Sequence, residues 1–292
     1  MKGDQASGTA ALIAASLVML RANPRYENLV PESSATLAAR ALEHSSAKWN
    51  YSISILKQPW FRMIAKLLER LTTPGIVIHY ALRKNCIRGL AREAVIAGID
   101  QVVILGAGFD SLALDLQQEF ESTRAWEIDH PATQRIKALA LGPALAPRLN
   151  LVPADLSKID LDQILHRTAF RTEQRTLWIA EGLLMYFDES AVSRLFKQAA
   201  AMTGTGSRFI FTFMRPDASG RVRFEAQTRL VDWWLQITGE PFGWGTTAEH
   251  LSAFIQPWRR ERLWGADEMI KCVNETLTQK PAVGEMICLA EL

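Results

Sequence analysis

The chain predicts an α/β fold built on a doubly wound parallel sheet with helices on both faces, and three observations predict it. The apolar residues Val102 to Leu105 stop abruptly at Gly106-Ala107-Gly108, and a helix-like stretch, 111–120, follows. A strand, a tight glycine turn and a helix start let backbone approach a ligand closely. Three further strand-like runs end on acids: 124–129 on Glu127 and Asp129, 149–155 on Asp155, and 176–181 on Glu181. Strand and helix patterns then alternate to about Pro216. In a doubly wound sheet the carboxyl ends of the strands line one crevice, so Asp129, Asp155, Glu181 and the glycine turn should converge there.

The first 95 residues read as helical throughout. An apolar run of 11 residues at 10–20 opens them. It is short of the ~20 that a bilayer span needs. Asp4 in the leader and Arg21 at the exit do not suit a signal peptide, so a buried amphipathic helix over 10–21, ending at Asn23-Pro24, is expected. Ser33-Ser34 read as a cap for a helix over 35–43. A helix over 61–71 ends at Thr72-Thr73-Pro74-Gly75, and another over 77–97 stops at Gly98. Beyond the strand at 176–181, Asp188 caps an amphipathic helix over 188–202 with acids in its first turn. Gly204-Thr205-Gly206 then turns the chain into a β-prone run, 207–213. Residues 221–245 read as a helix rich in large aromatics and then a loop, with Trp233, Trp234 and Trp244 expected as the core of an insertion. Thr246-Thr247 lead into a helix over 248–255, and 285–289 read as a short final strand. The expected organisation is a helical N-terminal cover, 1–95, integral to an α/β core, 96–292, with a helical insertion at about 217–245.

With 292 residues, 48% of them hydrophobic, the chain can bury a sizeable core. A net charge of +2 without a basic block gives no footprint of a nucleic-acid partner. Cys86, Cys272 and Cys288 are scattered, with no metal-ligand spacing, which predicts no metal site, no disulfide framework and a reducing compartment; together with the short apolar run at 10–20, a cytoplasmic setting without a membrane partner is expected.

Asp129 follows Gly108 by 21 residues, a spacing suited to an acid that grips a ribose diol. Two cofactors use such a crevice. A nicotinamide dinucleotide favours a third glycine at the helix start, where this chain has Ser111, and Asp110 would set negative charge beside its phosphates. S-adenosylmethionine has no phosphate, and its cationic methionine end accommodates acids, so the acidic strand ends favour it.

Val-Val-Ile-Leu-Gly-Ala-Gly-Phe-Asp-Ser, Trp-Glu-Ile-Asp129-His-Pro, Ala154-Asp155-Leu156 and Ala180-Glu181-Gly-Leu-Leu-Met-Tyr186, in this order, resemble the leucine carboxyl methyltransferase family. The resemblance extends from Thr9 to about Met286 and includes bacterial S-adenosylmethionine-dependent O-methyltransferases of the tetracenomycin carboxyl methyltransferase type. It implies a class I methyltransferase (Rossmann-like) sheet of seven strands with a helical insertion after the fifth. It also implies that Arg83 pairs with the methionine carboxylate, that Gly106, Ala107 and Gly108 pack on the methionine portion, and that Asp129 holds the ribose. Asp155 and Leu156 would surround the adenine, and Glu181 would lie near the methionine amino group. The segment after Arg83 departs from the pattern of many bacterial members, which leaves Arg88 as an alternative arginine, and Lys48 resembles a family lysine.

Several residues have a structural alternative. Asp155 suits a turn cap at Asp-Leu-Ser, His130 before Pro131 suits a helix start, and His79, Tyr80 and Tyr186 suit packing. An acid such as Glu181, after a strongly apolar strand, needs a polar ligand or a backbone amide, and the ligand is favoured. The sulfonium methyl is already activated, so transfer needs an in-line acceptor at roughly 3–3.5 Å. A carboxylate acceptor needs no base and would be oriented by a cation such as Arg215. A hydroxyl or phenol acceptor needs a base, with His79 or His130 as first choices, and the candidates for a catalytic role are His79, Tyr186 and Arg215. The expected function is carboxylate O-methylation of a biosynthetic small molecule. The alternatives are methylation of a hydroxyl or of a protein C-terminus, a dinucleotide-dependent oxidoreductase, and a cofactor-binding protein without turnover.

Overall fold

The computed structural model describes residues 7–45, 53–144, 149–273, 275 and 277–292. Five helices come first: α1 (Gly8–Arg21), α2 (Glu32–His44), α3 (Ile53–Leu56), α4 (Pro59–Thr72) and α5 (Ile76–Ile96). Ser7 caps α1, its hydroxyl accepting from Ala10 N, and the helix buries Ala14, Leu17 and Val18 as the apolar run predicts. For α2 the expected cap is displaced. The helix begins earlier, with Pro31 at its N-cap, and Ser34 instead turns inward to meet the Ser111 hydroxyl at 2.6 Å.

The alternating region then supplies β1 (Gln101–Leu105), α6 (Leu112–Glu119), β2 (Arg124–Asp129), α7 (Pro131–Leu141), β3 (Leu149–Pro153) and α8 (Leu161–Leu165). It continues with β4 (Thr176–Ala180), α9 (Glu189–Ala201) and β5 (Arg208–Met214). Asp188 caps α9 by accepting from Ala191 N at 2.8 Å. The last part holds α10 (Arg229–Thr238), α11 (Leu251–Phe254), β6 (Arg259–Trp264), α12 (Ala266–Ile270) and β7 (Glu285–Glu291).

The seven strands form one sheet in the order β3-β2-β1-β4-β5-β7-β6. Neighbours among β1 to β5 pair in parallel, while β7 runs antiparallel to β5 and β6. This is the class I methyltransferase arrangement that the motifs imply. Both faces of the central strands are covered, which is why they read as unbroken apolar runs. Val102 and Ile104 pack into one core with α1, α2 and α5. Val103, Leu105, Trp178 and Phe211 pack into the other with α9. Among the described residues no helix is long and apolar enough to cross a membrane, and no His/Cys/Asp/Glu group could hold a metal ion.

Two expectations about the C-terminal part are corrected. Residues 221–228 are not helical. Asp217 Oδ1 collects the N–H groups of Ser219 (2.8 Å) and Arg221 (3.0 Å), and Pro216 bridges to Val222, so the chain turns back on itself before α10. The helix expected over 248–255 shortens to α11. The strand β6 has no apolar alternation to announce it, because its Arg-Arg-Glu-Arg stretch lies at the sheet edge, where charge is tolerated and blocks further pairing.

Candidate active site

Strand order reverses at β1, between β2 and β4, and an open α/β sheet binds ligands outside the carboxyl ends at such a point. A cavity of about 420 Å³ occupies this place, within the ~300–1,000 Å³ of small-molecule sites. The strand ends form its floor, α1 and α5 form walls, and Gly239, Glu240 and Pro241 after α10 close one end.

Gly106 and Gly108 take positive φ, 65° and 53°. A Cβ on Gly106 would lie 2.8 Å from Leu183 Cδ1, so both backbone and space require glycine. Asp129 fastens the turn to β2. Its Oδ2 accepts from Gly108 N and its Oδ1 from His130 N, both at 2.6 Å. Burial pushes the Asp129 carboxyl up, and these two N–H groups work against that. Each oxygen retains acceptor capacity, and the residue lines the cavity.

The next wall is charged. Arg83 Nε donates to Glu181 Oε1 at 2.9 Å, and its Nη1 donates to both oxygens of Glu285 at 3.0 and 2.8 Å. Lys84 pairs with Asp110 and lies 3.1 Å from Glu181. His79 Nε2 is 2.7 Å from Glu285 Oε2. Two cations, Arg83 and Lys84, thus face three carboxylates. Burial alone would raise Asp110, but the Lys84 ammonium outweighs it and holds the carboxyl below the usual range. Burial is likewise outweighed at Glu285, where Arg83 and then His79 hold the carboxyl at about 2. Behind β2, fully buried Lys137 Nζ approaches Glu127 Oε2 to 2.5 Å, in a contact not aligned as a hydrogen bond. Burial raises the Glu127 carboxyl, with Lys137 opposing, and the same ammonium lowers Asp110 and Asp129.

At the opposite end, Glu240 Oε2 accepts from Thr9 N at 3.0 Å and from Thr9 Oγ1 at 2.7 Å. The carboxylate therefore sits at the N-terminus of α1, where the helix favours negative charge. Tyr186, in a turn at Leu184–Tyr186, faces the same threonine. Burial, then the charge of Glu240, push its phenol up, so it remains a protonated donor.

Arg83, Gly106, Ala107, Gly108, Asp129, Asp155, Leu156, Glu181 and Tyr186 all line this one cavity. Asp155 also serves as the turn cap, accepting from Ser157 N at 3.1 Å. Burial would raise its carboxyl, and Lys158 with Ser157 hold it at about 2 instead. For Glu181 the sequence favours a polar ligand over a backbone amide; in the structure Arg83 and Lys84 pair with it. Asp110 likewise presents no bare charge, because Lys84 takes it. Two catalytic candidates lie elsewhere. His79 is fully buried against Glu285, and Arg215 is an exposed partner of Glu225 at 3.1 Å. Arg88 pairs with Asp115 and Ser34 and does not line the cavity. His130 caps α7, its Nδ1 accepting from Ala132 N at 3.3 Å, at the cavity edge. Trp244 is buried as expected, whereas Trp233 is exposed. Lys48 lies outside the described residues. Sequence reading missed Lys84, Thr9, Glu240, Glu285 and Lys137. Lys84 adjoins a named arginine, but Glu285 reaches Arg83 across 202 positions, which no local pattern signals.

Known proteins resemble this chain in sequence and in fold. Residues 22–200 match the leucine carboxyl methyltransferase family. Over 156 residues the chain is 36% identical to a Mycobacteroides abscessus protein provisionally described as an S-adenosyl-L-methionine-dependent methyltransferase, covering 52% of this chain and 49% of that one. A Mycobacterium avium protein of the same description is 33% identical over 171 residues, covering 58% and 54%. The chain spans about half the length of these curated relatives. In fold it is similar to the crystal structure of a provisionally described methyltransferase from Thermobifida fusca, with a TM-score of 0.56 at 17% identity over 87% of this chain and 93% of that one. With more than half of its length matched and the glycine turn, Asp129, Asp155 and Glu181 gathered at one cavity, the chain belongs to the leucine carboxyl methyltransferase family.

Proposed function

We propose that the chain is an S-adenosylmethionine-dependent methyltransferase that modifies an oxygen of a small molecule. The observation that carries this is the meeting of the glycine turn, Asp129 and the Arg83–Lys84–Glu181 cluster in a single cavity. The donor set fits the cofactor. Asp129 would hold the ribose diol, Asp155 and Leu156 would border the adenine, and Gly106-Ala107-Gly108 would leave room for the methionine portion. Among the residues that line the cavity, Asp110, Asp129, Asp155, Glu181 and Glu240 outnumber Arg83 and Lys84, so acid is in excess. S-adenosylmethionine, with an ammonium, a sulfonium and one carboxylate, carries one net positive charge, so the two are complementary. Lys84, with three donors of which two are engaged, retains one for the methionine carboxylate.

When bound, the cofactor supplies a sulfonium-activated methyl group. The protein's own part lies at the acceptor end. Arg215, the cation that would orient a carboxylate, is outside the cavity, while Glu240 is inside it. Glu240 Oε1 has no hydrogen-bond partner among the described residues, and Oε2 is pinned by Thr9. This supports a hydroxyl acceptor whose proton passes to Glu240 Oε1, with the Tyr186 phenol donating to orient the substrate. Carboxylate methylation is the second reading, favoured by the family description.

Calorimetry with S-adenosylmethionine, S-adenosylhomocysteine and nicotinamide dinucleotides tests the cofactor, and binding of a dinucleotide alone would overturn it. With a substrate found by acceptor screening, alkali separates the two acceptor readings. An ether is base-stable, whereas a methyl ester releases methanol. Glu240→Gln should lower kcat on a hydroxyl acceptor by about 10²-fold or more with cofactor affinity unchanged, and an unchanged kcat removes Glu240 as the base.

A further inference from the structure

The helix α4 exposes most of its large apolar side chains. Its polar residue Glu69 faces the protein, where Oε1 accepts from Val77 N at 3.2 Å and from Gln279 Nε2 at 3.1 Å. Phe61 packs against the core, whereas Trp60, Met63, Ile64, Leu67, Leu68 and Leu71 are between 46% and 71% exposed. The helix α10 buries Leu235 but leaves Leu230, Trp233 and Ile237 49% to 61% exposed. The two helices meet where Thr228 N donates to Thr72 O at 3.0 Å. These nine side chains expose on the order of 1,000 Å² of apolar surface, against the ~300–600 Å² of the largest patch on a typical monomer.

We infer that this face is where a second copy of the chain docks, α4 against α4. The spacing selects a helix as occupant. Trp60, Ile64, Leu67 and Leu71 recur at intervals of four, three and four, and Leu230, Trp233 and Ile237 at three and four, which is the seam of helices packed side by side. The α4 seam is also self-complementary in an antiparallel pair. Ile64 then meets the other copy's Leu67, and Trp60 its Leu71, as a twofold, isologous contact requires. The exposed apolar area of α4 and α10 together reaches the ~800 Å² that a standard interface removes from each partner, so the contact engages both helices. Lys66 and Arg70 lie along one edge of the seam, where they stay solvated at the rim. The dimer bears on the cavity, because α10 runs directly into Glu240 and Pro241.

Light scattering and sedimentation of the full chain over a dilution series test this. The expected result is twice the chain's mass at high concentration. Leu67→Arg and Trp233→Arg should each raise the dissociation constant by about thirtyfold or more, with circular dichroism unchanged because both side chains are exposed. Hydrogen exchange on the wild-type chain reads the same face without substitution, and residues 60–71 should gain protection as concentration rises. A wild-type chain that is monomeric throughout overturns the inference, as does a dimer that both substitutions leave intact. A monomer that co-sediments with anionic phospholipid vesicles through α4 overturns it in favour of a lipid surface.

Discussion

Gly106→Ala isolates what the glycine turn contributes, because its cost divides into two parts that can be separated. The backbone part is the positive φ of 65°, which an alanine adopts at a cost of about 1–2 kcal/mol. The packing part comes from Leu183, whose Cδ1 would lie 2.8 Å from the new Cβ, with its own Cβ and Cγ at 3.3 Å. Rotation about χ2 moves only the Cδ atoms and rotation about χ1 moves Cγ as well, but Cβ stays at 3.3 Å and the displaced side chain must repack, so an overpacking cost of roughly 1–3 kcal/mol remains. The single variant should therefore lose about 2–5 kcal/mol in chemical denaturation. Leu183→Ala deletes Cγ and Cδ1, so in the double variant Gly106→Ala should be milder by roughly 1–2 kcal/mol than in the wild-type background. Its backbone cost should persist. Calorimetry with S-adenosylhomocysteine follows the same cycle, since Leu183 and Gly106 both line the cavity. A coupling energy of zero would refute the idea that Leu183 presses on this glycine.

Two further substitutions test the site. Asp129→Asn leaves an oxygen for one of Gly108 N and His130 N but turns an amide N–H toward the other, so thermal stability should fall by about 2–3 kcal/mol, the scale of one charge-assisted bond. Its loss of cofactor affinity should exceed that of Asp155→Asn, because only Asp129 anchors the glycine turn; equal losses would deny it that double role. Glu285→Gln leaves Arg83 with one fewer compensating charge and should cost about 3–5 kcal/mol. Glu285 is held at about 2, below its ordinary 4.5. Its contribution is therefore present above pH 4.5 and is lost as pH falls from there through about 2. A wild-type chain whose denaturation midpoint does not fall over that window faster than the variant's would contradict the pair.

The central fold was legible because burial writes itself into composition. Strands covered on both faces must be apolar along their length, and the glycine turn marks where the first one ends. The edge strand β6 was illegible for the converse reason, since exposed Arg259, Arg260 and Glu261 carry no burial signal. Among site residues, Asp129 was legible because it ends a strand at a fixed distance from the turn. Glu240 was not, because it follows an inserted helix and reaches the cavity only when that helix folds back onto α1.

By itself, then, the order of residues determined the central parallel strands, their crevice and the acids at its rim, all of which follow from local periodicity and from strand ends meeting on one side. Only the tertiary structure decided which charges remain available to a ligand. It neutralised Asp110 with Lys84, tied Glu181 and Glu285 to Arg83, removed His79 and Arg215 from the cavity and brought Glu240 into it. Electrostatic pairing depends on distance in space, and the partners here lie up to 231 positions apart in the chain.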